Sequence, residues 1–203
     1  MNPEEEKERE TATNLFNSVV EMIRNADEDE RWELVKEKQG QTRMKIQAHK
    51  HVYTKTQCEM PFSCQKVVSF LSDPHNISSF DPTTEKVELI KTYPENIQLV
   101  YNKFKVGTES REIVFVQGVH TDPDNVTCVA CKSMDYDQRP EEVPRVNVNM
   151  EGFVVRPMTE NSCTVSWIVK METEGLNTDC VNRLEKDQGK MLPSISTQLG
   201  GVA

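Results

Sequence analysis

The segment from Asn177 to Leu199, NTDCVNRLEKDQGKMLPSISTQL, predicts a long amphipathic helix near the C-terminal end of the chain. Gly175 precedes it and Gly200-Gly201 follow it, and glycine is typical of helix ends. A helix with a single apolar stripe must lay that stripe on another element of the fold. The residues of the stripe recur at three- and four-residue intervals: Val181, Leu184, Met191 or Leu192, Ile195 and Leu199.

Pro193 interrupts the hydrogen-bonding pattern of this helix. Proline has no backbone N–H, and its ring crowds the carbonyl of the residue four positions earlier, which is Gly189. We therefore predict a kink between residues 189 and 193. The kink is either a fixed bend, which is the more common outcome, or a hinge.

The region before this helix reads as a series of strands joined by short turns such as Asp122-Pro-Asp-Asn125. Short connections favour antiparallel pairing of consecutive strands. We expect one curved antiparallel sheet closed by the C-terminal helix, an α+β fold. The space between sheet and helix is either a packed core, which is the more common outcome, or an internal cavity. Two or three strands lie between Gly40 and Met60, and the later ones cover residues 85–93, 96–105, 111–119, 125–134, 143–156 and 162–173.

Two further helical segments are predicted in the N-terminal part of the chain. Residues 1–25 are assigned to an N-terminal helix that packs on the outside of the domain, since Phe16, Val19 and Ile23 recur at helical spacing. Ser63 is a candidate N-cap of a short helix that ends near Pro74. With residues 177–199 as a lid, all 203 residues form a single domain.

Composition and charge exclude several classes of protein. The net charge of −9 argues against nucleic acid as the main partner, and no run approaches the about 18 apolar residues that a membrane span needs. The N-terminus lacks the apolar core of a secretory signal, so we expect a cytosolic protein with reduced cysteines. We also expect a monomer. Cys128 and Cys131 lie three apart in a strand and face opposite sides, so we predict no metal or cofactor there.

The order of several short motifs resembles the START domain, the steroidogenic acute regulatory protein-related lipid transfer family. In chain order these motifs are Phe80-Asp81, Ser110-Arg-Glu-Ile-Val-Phe-Val116, Cys131-Lys-Ser-Met-Asp-Tyr-Asp137, Val143-Pro-Arg145, Gly152-Phe-Val-Val-Arg-Pro157 and Cys163-Thr-Val-Ser-Trp167. The resemblance extends from about Trp32 to Leu199. It implies a helix-grip fold: a nine-stranded antiparallel sheet with an N-terminal helix, two short helices after the third strand, and a C-terminal helix over a lipid tunnel.

The resemblance also implies which residues contact the lipid. On the strand 111–117, alternate side chains share a face that looks inward in START relatives, and the C-terminal helix covers the tunnel. Loops at 104–109 and 174–178, with Val106 and Leu176, would make transient membrane contact. The implied lipid-binding residues are Asp81, Arg111, Ile113, Phe115, Gln117, Cys131, Leu184 and Leu192.

The identity of the lipid stays open among sterols, phospholipids and sphingolipids. A sterol-carrying branch has an arginine where this chain has Gln117. Asp81 matches an acidic contact of ceramide-binding relatives, but the amide partners of that site fall on Val100 and Cys131 here. Arg111 and Arg145 have an alternative, structural interpretation as partners of nearby carboxylates.

The function implied by the resemblance is to bind one lipid and carry it between membranes in the cytosol. A lipid-sensing regulatory module needs the same tunnel and stays an alternative. A helix-grip enzyme of cyclase or hydrolase type is a further alternative, but the sequence holds no phosphate loop, zinc-protease or nucleophile-elbow motif, and we expect no catalytic residues.

Overall fold

A computed structural model of the protein describes residues 3–48, 51–139, 142–172 and 189–200. These residues form helices and strands in the order that the sequence predicts. The helices are α1 (Pro3–Asp27), α2 (Cys64–Leu71), α3 (Ile77–Phe80) and α4 (residues 189–198). The strands are β1 (Glu33–Lys38), β2 (Gln41–Ala48), β3 (His51–Met60), β4 (Thr84–Thr92), β5 (Gln98–Val106), β6 (Glu109–Thr121), β7 (Thr127–Ser133), β8 (Met150–Thr159) and β9 (Ser162–Glu172).

The strands form one open antiparallel sheet of nine strands in the order β1-β2-β3-β9-β8-β7-β6-β5-β4. Every pair except β3–β9 joins strands that are consecutive in the chain, which confirms the predicted pairing. The exception runs in register from His51 opposite Glu172 to Met60 opposite Cys163. This pairing joins the N-terminal three strands to the C-terminal six, and the α+β helix-grip architecture is confirmed.

Helices cover both faces of the sheet. The outer face is the one that α1 covers, where Phe16, Val19 and Ile23 pack against side chains such as Val114 and Ile168. The inner face is the one that α2, α3 and α4 cover. Its main cluster contains Val67, Leu71, Phe80, Val129, Phe153, Val155, Val165, Trp167, Leu192, Ile195 and Leu199.

Two glycines allow α1 to approach the outer face closely. A Cβ atom at Gly118 would lie 2.8 Å from the ring of Phe16. A Cβ atom at Gly152 would lie 2.4 Å from Cδ1 of Ile23 and 2.8 Å from the carbonyl oxygen of Val129. The absence of a side chain at these positions therefore sets the distance between helix and sheet.

The predicted capping residue of the short helix is confirmed. Ser63 is the N-cap of α2, and its hydroxyl accepts a hydrogen bond from the backbone N–H of Lys66. The C-terminal helix is described from residue 189 onward, and its helical backbone continues through Pro193. Residues 177–188 of the predicted lid lie outside the described residues, so the kink between 189 and 193 stays a prediction.

The predicted strand 143–156 begins later than expected, at Met150. The preceding residues run beside β6 instead: the N–H of Glu112 donates to the carbonyl of Pro144, and the N–H of Val146 donates to the carbonyl of Glu112. Pro144 cannot donate a hydrogen bond of its own, which limits the pairing to a short parallel bridge at Arg145. In the part of the chain that the structure describes, none of the helices has the length and apolarity to cross a bilayer.

The contact between α1 and the sheet predicts different costs for two glycine substitutions. Gly152→Ala should lower the free energy of unfolding by about 1–3 kcal/mol, because its Cβ meets a backbone carbonyl that cannot rotate away. Gly118→Ala should cost less, since the Phe16 ring can shift. Chemical denaturation of both variants measures the difference, and equal losses would contradict this account of the packing.

Candidate functional site

The centre of the inner face is aromatic. The rings of Phe153 and Trp167 stack with their centroids 6.1 Å apart, and Phe80 meets Phe153 edge to face at 6.3 Å. These residues come from β8, β9 and the end of α3. Leu192 of α4 is fully buried in the same cluster. The C-terminal helix therefore contacts an aromatic surface at the middle of the sheet.

A second apolar cluster on the inner face lies on β5 and β6. Val100, Ile113 and Phe115 form its buried centre, and Cys131 packs against it from β7. The structure thus brings together three of the residues that the sequence assigned to the site, Ile113, Phe115 and Cys131. Leu192 belongs to the neighbouring aromatic cluster.

The polar residues assigned to the site have protein partners. The side-chain amide of Gln117 donates to the carbonyl of Ser72, 3.1 Å away, at the end of α2. The carboxylate of Asp81 accepts hydrogen bonds from Thr83 and Thr84. The guanidinium of Arg111 pairs with Glu109 on its own strand. These contacts are compatible with a structural role for each side chain.

Glu151 is a polar inner-face residue that the sequence analysis missed. It lies opposite Cys131 on β7 and Val169 on β9. The indole N–H of Trp167 donates to its Oε1 atom over 3.0 Å. Burial and the nearby charge of Asp81 raise the pKa of Glu151 to about 7, against the opposing effect of the Trp167 hydrogen bond. Side chains alternate along β8, so the pattern that places Phe153 and Val155 on the inner face could also have predicted the position of Glu151.

The two cysteines of the CxxC segment face opposite sides of the sheet, as predicted. Cys128 packs in the outer-face core and Cys131 against the inner-face cluster. Burial raises the pKa of Cys128 to about 12 and that of Cys131 well above its usual value. Both thiols are therefore protonated near neutral pH and are poor nucleophiles.

Arg145 belongs to a buried ion pair on the outer side of the sheet. Its guanidinium donates two hydrogen bonds to Oε1 of Glu112, at 3.1 and 2.8 Å. The other oxygen of Glu112 accepts from the hydroxyl of Tyr101 and the backbone N–H of Glu142. Burial alone raises the pKa of Glu112, but these hydrogen bonds outweigh it and lower the pKa below its ordinary value. The structural interpretation of Arg145 is confirmed.

The predicted entrance and lid are only partly covered by the structure. Leu176 of the entrance and Leu184 of the lid helix lie outside the described residues. Val106 ends β5, and Gly107 and Thr108 form the turn into β6. The predicted loop at 104–109 is therefore a tight hairpin, and its contact with a membrane stays a prediction.

Comparison with known proteins agrees with this arrangement of sheet and helices. The START domain family model matches residues 16–184. Human StAR-related lipid transfer protein 5 superposes with a TM-score of 0.84 at 11% identity, over 95% of this chain and 98% of that chain. Human STARD10 gives a TM-score of 0.77 at 13% identity, over 88% and 77% of the two chains. No curated protein matches this chain.

A more distant structural neighbour is an enzyme. The Zhui aromatase/cyclase from Streptomyces sp. R1128 gives a TM-score of 0.52 at 14% identity, over 75% of this chain and 99% of that chain. At these identities each superposition is evidence for the fold. The sheet closed by helices defines a helix-grip protein, and because the family model matches most of its length, the chain belongs to the START domain family. Family and neighbours support lipid binding or transfer in general.

The buried pair of Glu112 and Arg145 predicts a large loss of stability when it is broken. Arg145→Met should lower the free energy of unfolding by about 3–5 kcal/mol, since it leaves a fully buried carboxylate without its cation. Adding Glu112→Gln should recover part of the loss. Arg111→Met serves as the control and should cost under about 1 kcal/mol, because the Arg111–Glu109 pair is solvent-exposed. Similar losses for both arginines would refute the distinction.

The raised pKa of Glu151 predicts a pH-dependent penalty on folding. The folded-state pKa of about 7 exceeds the ordinary value of 4.5, so the folded state binds the proton more tightly and stability falls as pH rises between these values. At pH 8, Glu151→Gln should raise the free energy of unfolding of the lipid-free protein by about 1–3 kcal/mol. At pH 4.5 the two proteins should have similar stability.

The control for this measurement is Glu59→Gln, an exposed position on β3 that should change stability by less than about 0.5 kcal/mol at either pH. Denaturant melts at several pH values supply the data. If Glu151→Gln and the wild type have the same free energy of unfolding at every pH in this range, the pKa of Glu151 is not raised.

Proposed function

We propose that the protein binds one lipid between the inner face of the sheet and the C-terminal segment, and carries it between membranes in the cytosol as a monomer. The observation that carries the proposal is the apolar surface that two clusters form on the inner face of a START fold. One is the aromatic cluster of Phe80, Phe153 and Trp167, the other is the cluster around Ile113 and Phe115, and Ile77 packs against both.

The energetics of the proposed binding follow from this apolar surface. Removing about 400 Å² of lipid surface from water is worth about 10 kcal/mol at about 25 cal/mol per Å². Part of this free energy is spent on immobilising the lipid, and the remainder is enough for retention during diffusion. Retention by burial requires no covalent bond, so the lipid is released unaltered.

Exchange with a membrane requires the site to open. In the proposal, the hairpin at Val106 and the segment at Leu176 touch the bilayer while the C-terminal helix moves about residues 189–193. Leu192, which is fully buried, then becomes exposed to lipid. A fluorophore on a Leu192→Cys variant should change its emission on mixing with vesicles, and constant emission would argue against this movement.

The first experiment is to identify the lipid and follow its movement. Native mass spectrometry of the purified protein should show one lipid per chain, and solvent extraction should return it chemically intact. Transfer of a fluorescent sterol, phosphatidylcholine or ceramide between two vesicle populations then separates a carrier from a sensor. Tight binding without transfer would favour the lipid-sensing alternative, and an altered lipid would favour an enzyme such as the cyclase neighbour.

Adjacent residues of β6 provide a matched test of which face holds the lipid. Phe115 faces inward and Val116 faces α1, and both are buried. Phe115→Ala and Val116→Ala should both lower protein stability, but only Phe115→Ala should speed dissociation of the bound fluorescent lipid, by about tenfold or more. Equal dissociation rates in the two variants would place the lipid elsewhere.

A further inference from the structure

The inner face carries two polar side chains, one on β8 and one on β5, that each offer a hydrogen-bond acceptor. On β8, Glu151 has one oxygen in a hydrogen bond with Trp167 and a second oxygen for which no partner lies among the described residues. On β5, Asn102 has only 8% of its surface exposed, and its Oδ1 atom is buried without a hydrogen-bond partner in the described part of the chain. A buried acceptor left unpaired costs free energy, so Oδ1 of Asn102 favours a ligand that donates to it, and the second oxygen of Glu151 can accept from the same kind of donor.

Asn102 and Glu151 belong to the same inner face. Asn102 alternates with Val100 along β5 and lies opposite Ile113, whose side chain is in the inner-face cluster. Glu151 lies opposite Cys131, which packs against that same cluster. The two acceptors therefore border the apolar surface to which the proposed function assigns the lipid.

Among the described residues, the arginines near this surface pair with carboxylates or lie on a distant strand. Arg111 pairs with Glu109, and Arg145 pairs with Glu112 on the other side of the sheet. Arg43 reaches the inner side, where it approaches Gly189, but it comes from β2. Strand β2 is three strands from β8, which corresponds to about 14 Å at the usual strand spacing. The charge that raises the pKa of Glu151 is the carboxylate of Asp81, which carries the same sign.

We propose that the bound lipid carries an O–H or N–H donor at its polar end, and that this group donates to the free carboxyl oxygen of Glu151. The chemical class is an apolar body with a hydroxyl or an ammonium group, in preference to a carboxylate or a phosphate. This inference rests on the proposed function. It makes Glu151 a specificity-determining residue of the lipid site, with Trp167 as the residue that positions it.

Each part of the site has a separate role in this selection. The Trp167 indole fixes one carboxyl oxygen, so the other is directed to the ligand without a change of rotamer. Asp81 has its own oxygens occupied by Thr83 and Thr84 and acts through its charge, which disfavours an anionic polar end. Phe153 stacks on Trp167 and places apolar surface beside the carboxyl group, where the chain of the lipid begins.

The test uses three probes that differ only in the polar end: hexadecanol, hexadecylamine and hexadecanoic acid, delivered from cyclodextrin to the delipidated full chain at pH 8. We expect the wild type to bind the alcohol or the amine at least tenfold more tightly than the acid, by calorimetric titration. An amine that binds more tightly than the alcohol identifies ammonium as the preferred donor, and the reverse order identifies hydroxyl.

Variants separate a selective role of Glu151 from a structural one. Glu151→Gln keeps an acceptor for Trp167 but removes the charge, and should reduce the preference for the amine over the acid by at least tenfold. Glu59→Gln, on the exposed surface, should leave the ranking unchanged. Melting curves at pH 8 verify that both variants are folded.

The outcomes of these experiments distinguish an error in the role of Glu151 from an error in the proposed function. Equal affinities for the three probes, or a preference for hexadecanoic acid, would overturn the role of Glu151 and leave lipid binding intact. An unchanged ranking in Glu151→Gln would do the same. If none of the probes binds and no lipid co-purifies, both the proposed function and this inference are wrong.

Discussion

The pairing of β3 with β9 is the interaction on which the rest of the structure depends. It joins an N-terminal hairpin and its third strand to a six-strand meander, and these two parts are distant in sequence. Without it, each part would present an unpaired edge and a half-covered apolar face. Because β9 then lies inside the sheet, Trp167 reaches the centre of the inner face while Ile168 reaches the core under α1. A long-range pairing of this kind forms slowly, since the chain loses entropy before the contact is made.

The central strands are buried on both faces, and this links the anchoring of α1 to the geometry of the inner face. Gly152 brings β8 close to α1, and the next residues along the strand, on either side, are Glu151 and Phe153. The side chains that form the candidate site are thus fixed from behind by α1, which packs on the opposite face of the sheet. Close-packed cores are stiff, so the sheet is a rigid surface, and the proposed exchange of lipid requires movement elsewhere.

Local signals predicted most of the fold, and the polar chemistry of the site was harder to predict. Ser63 was predicted as a helix N-cap from its residue type and position, and the short turns between strands predicted antiparallel pairing of consecutive strands. The nine-stranded helix-grip architecture followed from the family resemblance. Pro144 shows where alternation fails, because residues around it look like a strand but cannot donate to a ladder. Glu151 was missed because one carboxylate in a strand normally faces water. Two features distinguish Glu151 from an exposed carboxylate. It shares a strand face with Phe153, and it accepts a hydrogen bond from Trp167, which only the three-dimensional structure reveals.

The two edge strands of the sheet, β1 and β4, are both irregular and carry lysines, which affects the tendency of the protein to aggregate. In β1 the pairing shifts register between Leu34 and Lys36, and in β4 it shifts before Lys86 and again before Lys91. A bulge twists the edge and a lysine adds charge, and both obstruct the docking of a strand from another molecule. In the proposed function, apolar surface is exposed at each exchange of lipid, and aggregation is most favourable at that moment. The irregular, charged edges then oppose the growth of a continuous intermolecular sheet.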